Sequence, residues 1–176
     1  MGGIFSLPYV PNLLPLKTLE NAIPEKWYVN PINSILYQAQ IYFIALTLRV
    51  AHQAKLAASK VHGHGAYDNL NPRAQVLQFL TVDTKFARLH GTYMNGLEFF
   101  PLYASAVLAC VAVDVDVEKL KKMCTTGLVL RLIYYAFYTT QHTKGGAALR
   151  SLAWCVSLAH TCQMFRVAAL EHEENN

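Results

Sequence analysis

The chain has 176 residues, enough for one domain, and a formal net charge of +4. Hydrophobic residues make up 53% and charged residues 15%, well under the roughly 25% charged of soluble domains, and the mean hydropathy is +0.22. That balance points to an integral membrane protein, and the lack of a basic cluster interleaved with aromatics argues against nucleic acid as a partner.

Residues 1–30 carry Pro8, Pro11, Pro15 and Pro24 and no continuous apolar run. They predict an irregular or interfacial segment, not a cleavable signal peptide, with Trp27 and Tyr28 at headgroup level. The start Met1-Gly2-Gly3-Ile4-Phe5-Ser6 fits the short myristoylation pattern. It is read as a chance match, since one acyl chain adds little to a spanning protein. Asn30-Pro31 opens a first long helix over 31–60, with its best membrane window at 32–50, interrupted by Gln38 and Gln40 and closed by Arg49. Residues 61–84, with Gly63, Gly65, Asn69, Asn71 and Pro72, predict the longest connection. A second span covers 84–113, with a kink expected at Pro101, where a backbone donor is missing. Residues 114–122 read as a short polar hairpin, and 123–140 as a third span with Arg131 inside it. Residues 141–147, with Gly145-Gly146, make the next turn, 148–170 the fourth span, and 171–176 an acidic polar tail. The fold class is therefore all-α, an integral membrane four-helix bundle over 31–170. The connections at 60–85 and 141–150 carry Lys60, Arg73, Lys85, Lys144 and Arg150 against Asp68 and Asp83. The positive-inside rule places them in the cytoplasm, although Lys119, Lys121 and Lys122 lie on the opposite side.

The second span holds the most informative pattern. Arg88, Asn95, Glu98 and Leu102 recur at spacings of seven, three and four, so they share one helical face. Polar side chains at membrane depth are costly and usually mark a functional path. Arg131, Tyr134 and Tyr138 share a face of the third span, and Arg150 opens the fourth. Arg131 needs a counter-charge, and Glu98 is the one carboxylate inside a predicted span, so the two are expected to pair. Such a pair either fixes helix register or belongs to a ligand site. Arginines at a membrane entrance can hold carboxylates or stabilise a thiolate, and neighbouring tyrosines can donate to the same anion. The plainer alternatives are interfacial snorkelling for Arg88 and Arg150 and core or belt packing for Tyr134 and Tyr138. Together they favour a site for a small anionic cosubstrate, with an apolar substrate arriving from the lipid. His62-Gly-His64, His52 and His90 fix no metal geometry, so no metal is expected, and His160 reads as a packing histidine. Cys110, Cys124, Cys155 and Cys162 show no Cys-x-x-Cys spacing and read as reduced, helix-packing residues.

Arg88, Asn95-x-x-Glu98-x-x-Pro101, Arg131-x-x-Tyr134-x-x-x-Tyr138 and Arg150 resemble the MAPEG family, the membrane-associated proteins in eicosanoid and glutathione metabolism. The resemblance covers about 30–170, and Asn71-Pro72-Arg73 is similar to a divergent microbial or fungal branch. It implies a trimer of four-helix bundles in endoplasmic reticulum or a similar intracellular membrane, with glutathione as cosubstrate between subunits. It further implies that Arg88, Asn95, Glu98, Arg131, Tyr134 and Tyr138 contact glutathione. Arg150 matches the arginine that stabilises the thiolate, with Tyr138 beside it as a second catalytic group. The chain departs from the family pattern at Gly91 and Thr92, where a second arginine and an alanine are common, and at Phe99. Its loop between Tyr138 and Arg150 is also longer than in mammalian synthases. The function implied is a membrane-bound, glutathione-dependent transferase or peroxidase acting on lipophilic electrophiles or hydroperoxides. The alternatives are a non-catalytic lipid-binding member, or a glutathione-independent enzyme on the same scaffold acting on a small hydrophobic metabolite.

Overall fold

The computed structural model describes residues 14–59, 72–141 and 143–175. The described residues form helices and no strands: α1 (Leu14–Ala22), a single 3-10 turn at Glu25–Trp27, α2 (Pro31–Ser59), α3 (Pro72–Val82), α4 (Thr84–Ala112), α5 (Val117–Thr140) and α6 (Lys144–Glu174).

Short polar side chains set the helix starts. Asn30 Oδ1 accepts from the Ile32 N–H at 3.0 Å, with Pro31 as the first helical residue of α2. Asp83 accepts from Phe86 N–H at the start of α4, Asp116 from Lys119 N–H at 2.8 Å for α5, and Thr143 Oγ1 from Gly146 N–H at 3.1 Å for α6. The turn from α4 to α5 is a Schellman closure. Val115 N–H reaches the Cys110 carbonyl at 3.1 Å and Asp114 N–H the Val111 carbonyl at 3.3 Å. Asp114 takes the left-handed conformation, φ 57°, where glycine is usual.

α2 lies along α4 and also touches α5, α5 lies along α6, and α4 packs on both α5 and α6. Gly96 lets α2 and α4 approach, since a Cβ there would meet Tyr42 Cβ at 2.6 Å. One core joins Phe99, Tyr103, Val107 and Cys110 of α4 to Met123, Cys124 and Met164. A smaller one holds α3 in place through Val76 and Phe79 against Ala57 and Phe86.

The polarity of this packing is inverted relative to a water-soluble fold. Ser34, Gln38, Gln53, Thr92, Thr126, Arg131, Ser157, His160 and Thr161 are buried, while Ile32, Leu36, Phe43, Ile44, Leu48, Leu132, Leu149 and Leu152 are exposed. α2 and α4 are long and apolar enough to cross a membrane.

The structure revises several sequence expectations. Residues 14–22 are helical within the segment expected to be irregular, because Pro15 falls in the first turn, where proline is tolerated, and the helix packs on α5. Helix α3 occupies part of the expected 61–84 loop, held by its apolar contacts. The 114–122 hairpin is shorter than expected, since the Asp116 cap lets α5 begin at Val117 and takes in Lys119, Lys121 and Lys122. The acidic tail stays helical to Glu174. α4 runs through Pro101 without interruption. α5 and α6 are long helices but fall short of the apolar content of α2 and α4. All four cysteines are free. Cys110 and Cys124 are buried as expected, whereas Cys155 and Cys162 are exposed instead of packed between helices. His62, His64, Asn71 and the start at Met1-Gly2 lie outside the described residues.

Candidate functional site

A cavity of about 430 Å³ opens where α4, α5 and α6 meet, lined by Asn95, Tyr134, Tyr138, Arg150, Ser151, Trp154 and Cys155. Its volume falls within the roughly 300–1,000 Å³ of small-molecule sites. α5 supplies Tyr134 and Tyr138 one turn apart, their rings 5.6 Å apart in an edge arrangement at 71°. α6 supplies Arg150, whose guanidinium carbon lies 4.9 Å from the Tyr138 ring centroid. No carboxylate lines the cavity, and Arg150 makes no ion pair among the described residues.

α4 contributes Asn95, whose amide N–H donates to the Gly91 carbonyl at 2.8 Å. That bond fixes the amide and leaves its side-chain oxygen as an acceptor for a ligand. Gly91 sits under Tyr138, and a Cβ there would collide with the Tyr138 hydroxyl. The aromatic side chain therefore occupies the space where a side chain at position 91 would begin.

Arg131 stands behind this wall, 0% exposed. Its guanidinium carbon lies 3.9 Å from the Phe99 ring centroid, 4.6 Å from Tyr134 and 5.2 Å from Tyr135. Nη2 donates to the Asn95 carbonyl at 3.3 Å, while Nε and Nη1 have no hydrogen-bond partner among the described residues. Three ring faces can hold a guanidinium, each through its quadrupole. They do not neutralise it, so a net positive charge remains beside the cavity.

The expected pairing of Arg131 with Glu98 is corrected. Glu98 is exposed on α4 and no ion pair joins it to Arg131. Glu98 shares a face with Asn95 but lies about one turn further along α4, where it is exposed, and Arg131 reaches the backbone carbonyl of Asn95 instead. Arg88 is half-buried and does not line the cavity, and its Nε is buried without a hydrogen-bond partner among the described residues. Of the sequence-derived residues, the structure thus brings together Asn95, Tyr134, Tyr138 and Arg150, with Arg131 at their back, and leaves Arg88 and Glu98 apart. Ser151, Trp154 and Cys155 were missed. Trp154 follows Arg150 by four positions, so helical spacing would have found it, whereas Ser151 and Cys155, at one and five positions, carry no such signal from Arg150. His160 is a packing residue, its Nε2 2.8 Å from the Met123 carbonyl oxygen. Among the described residues no cluster could hold a metal ion.

An all-helical protein with apolar outer faces, buried polar side chains and a cationic cavity between helices belongs among membrane proteins. The sequence profile of the MAPEG family matches residues 35–170, and the chain is a member of that family. No curated protein and no solved structure matches it.

Proposed function

We propose that the chain is a multi-pass, glutathione-dependent transferase or peroxidase acting on lipophilic electrophiles or hydroperoxides. The observation that carries this reading is the convergence of Asn95, Tyr134, Tyr138 and Arg150 on one cavity with no carboxylate in its lining among the described residues. In this reading Arg150 stabilises the glutathione thiolate, because a nearby guanidinium favours the anion. The thiol proton leaves to water. The thiolate sulfur then bonds to the electrophilic carbon, whose leaving group departs or whose carbanion takes a proton. Tyr134 and Tyr138 offer hydroxyl donors to the same anion, Asn95 offers its side-chain oxygen to an ammonium or amide, and Arg131 supplies positive potential from behind.

Family membership supports the trimeric four-helix assembly and an endoplasmic reticulum or similar membrane as parts of the same proposal. Glu98 and Arg88 enter it across a subunit boundary in this reading, since neither lines the cavity of its own chain. A second reading, a lipid-binding member without glutathione chemistry, draws on Gly91. One carboxylate clamp is absent there, and Tyr138 fills its place.

The test is the ultraviolet difference spectrum of glutathione with the purified protein in detergent, wild type beside Arg150→Ala. The expected result is a thiolate band in wild type that falls about tenfold in the variant, one unit of thiol pKa. A band of equal strength in Arg150→Ala removes Arg150 as the stabilising group. Absence of glutathione binding by the wild type rejects the reading in favour of the second.

A further inference from the structure

Cys155 brings a thiol into the cavity between α4, α5 and α6, and the conjugation chemistry gives it no part. Cys110 and Cys124 are buried, and Cys162 does not line the cavity. Cys155 is exposed and lines it together with Arg150, Tyr134 and Tyr138. α5 and α6 run antiparallel, since Tyr138 meets Arg150 at one level and the Met123 carbonyl meets His160 at another. Cys155 lies about 7.5 Å along α6 from Arg150, and Tyr134 about 6 Å along α5 from Tyr138, so the two share one level of the cavity. Tyr134 is only 2% exposed, yet it lines the cavity there. Its ring contacts Arg131, Tyr135 and Tyr138, and its hydroxyl has no hydrogen-bond partner among the described residues. A buried hydroxyl left free at the level of the thiol calls for a polar ligand beside both.

We infer that Cys155 is a resolving thiol, which captures the oxidised sulfur of glutathione as a mixed disulfide during hydroperoxide reduction, a role that rests on the glutathione reading and on its peroxidase branch. The glutathione thiolate at Arg150 attacks the outer oxygen of the hydroperoxide. The O–O bond breaks, the hydroxyl group passes to sulfur, and the alkoxide takes a proton from water and leaves as the alcohol. Sulfur is thereby oxidised to a sulfenic acid, which condenses with thiols. The sulfenic acid is neutral, so Arg150 is then free to favour the thiolate of Cys155, whose proton passes to water. That thiolate attacks the glutathione sulfur, an S–S bond forms, and hydroxide departs and is protonated to water. A second glutathione thiolate attacks the glutathione sulfur of the mixed disulfide, releases oxidised glutathione and returns Cys155 as a thiolate. Capture from the wall of the same cavity is effectively unimolecular, which favours it over escape of the sulfenic acid.

The test mixes the reduced full chain in detergent with limiting glutathione and cumene hydroperoxide, quenches with acid and maps the thiols by mass spectrometry. A glutathionyl group is expected on Cys155, about tenfold or more above the level on the equally exposed Cys162. It should need both reagents and disappear when excess glutathione is added. Cys162→Ser should keep the adduct. Cys155→Ser should lose it and instead release glutathione sulfenic acid, read as its dimedone adduct in solution. Equal modification of Cys155 and Cys162, or a Cys155 adduct formed as fast from oxidised glutathione alone, overturns the proposal as general thiol exchange. Glutathione bound but no hydroperoxide consumed, or hydroperoxide consumed with the same dimedone adduct from wild type and Cys155→Ser, overturns the resolving role and leaves the glutathione reading standing. Absence of glutathione binding in the difference spectrum overturns both.

Discussion

Gly91 and Tyr138 share one volume, and that makes Gly91 a lever on the cavity. A Cβ at Gly91 would meet the Tyr138 hydroxyl first and Tyr138 Cζ at 3.0 Å. The hydroxyl is the far end of a flexible side chain, so the ring gives way at small cost, and alanine gains up to ~1 kcal/mol of helix propensity over glycine. Gly91→Ala is therefore expected to leave the unfolding midpoint nearly unchanged while moving Tyr138 off Arg150, with a roughly tenfold loss of glutathione conjugation. Tyr138→Phe alone gives the loss due to the hydroxyl, and Gly91→Ala/Tyr138→Phe, in which the colliding atom is gone, should be no worse than it, so a double variant clearly below Tyr138→Phe would rule out the shared volume as the cause. Arg131 offers the opposite separation. It is buried among rings without a carboxylate, and replacing a desolvated charge by an apolar side chain of similar length is often neutral or stabilising. Arg131→Met should keep or raise the midpoint and weaken glutathione binding. A double-mutant cycle between Arg131 and Glu98 should show less than about 0.5 kcal/mol of coupling, the level of independent sites. A coupling of several times that would restore the pair that the coordinates separate.

At the level of elements, α4 is anchored at its start by Asp83. The carboxylate caps the helix through Phe86 N–H, and its Oδ1 lies 3.2 Å from His52 Nε2 of α2. Burial pushes this carboxyl up, but the Phe86 N–H and the His52 ring outweigh burial and hold it below the ordinary range. A carboxyl with a lower folded-state value binds fewer protons folded than unfolded, so its contribution is complete above about pH 4 and fades as pH falls through the folded value. Asp83→Ala should cost about 1 kcal/mol near neutrality, the usual loss for an N-cap. Its deficit should shrink below about pH 4, where wild type loses the same contribution. Unfolding midpoints of both proteins across that range check this, and a deficit independent of pH would mean that the ionised cap is not what anchors α4. Much of the element layout was legible because such signals are local. Asn30-Pro31 marked α2 and the apolar run marked α4. The start of α5 was missed because charge at Lys119, Lys121 and Lys122 was read as loop, whereas the cap at Asp116 outweighs it. The site followed the same division. Tyr134 and Tyr138 share a face by spacing on a single helix, and Arg150 stands out as the cation that opens the next one. The partner of Arg131 depends on how α4 is rotated against α5, and opposite charge alone does not encode that rotation.

For the whole molecule, the decisive property is which way its polar side chains face. α5 buries Thr125, Thr126, Arg131 and Tyr134 and exposes Leu132 and Ile133, and α6 buries Ser157, His160 and Thr161 while exposing Leu149, Leu152 and Trp154. A hydropathy window averages over both faces, so inward-facing polar groups lower its value even where the outer surface suits lipid. The four-span expectation thus outruns the two helices that pass on composition, and orientation explains the gap. Length does not prevent crossing, since α5 has 24 residues, about 36 Å of helix against a hydrocarbon core of about 30 Å. α6 is longer still, with 31 residues. We therefore predict that α5 and α6 both span the bilayer, which puts the α4–α5 and α5–α6 turns on opposite sides. Single cysteines at Glu118→Cys and Gly145→Cys test this in sealed vesicles, with exposed Cys155 and Cys162 changed to serine and buried Cys110 and Cys124 retained. A membrane-impermeant maleimide added outside should label one of the two before detergent and the other only after it. Labelling of both from the same side would mean that α5 does not cross. The cavity between α4, α5 and α6 would then have to face water instead of the membrane interior, and a lipophilic substrate could not reach it from the lipid.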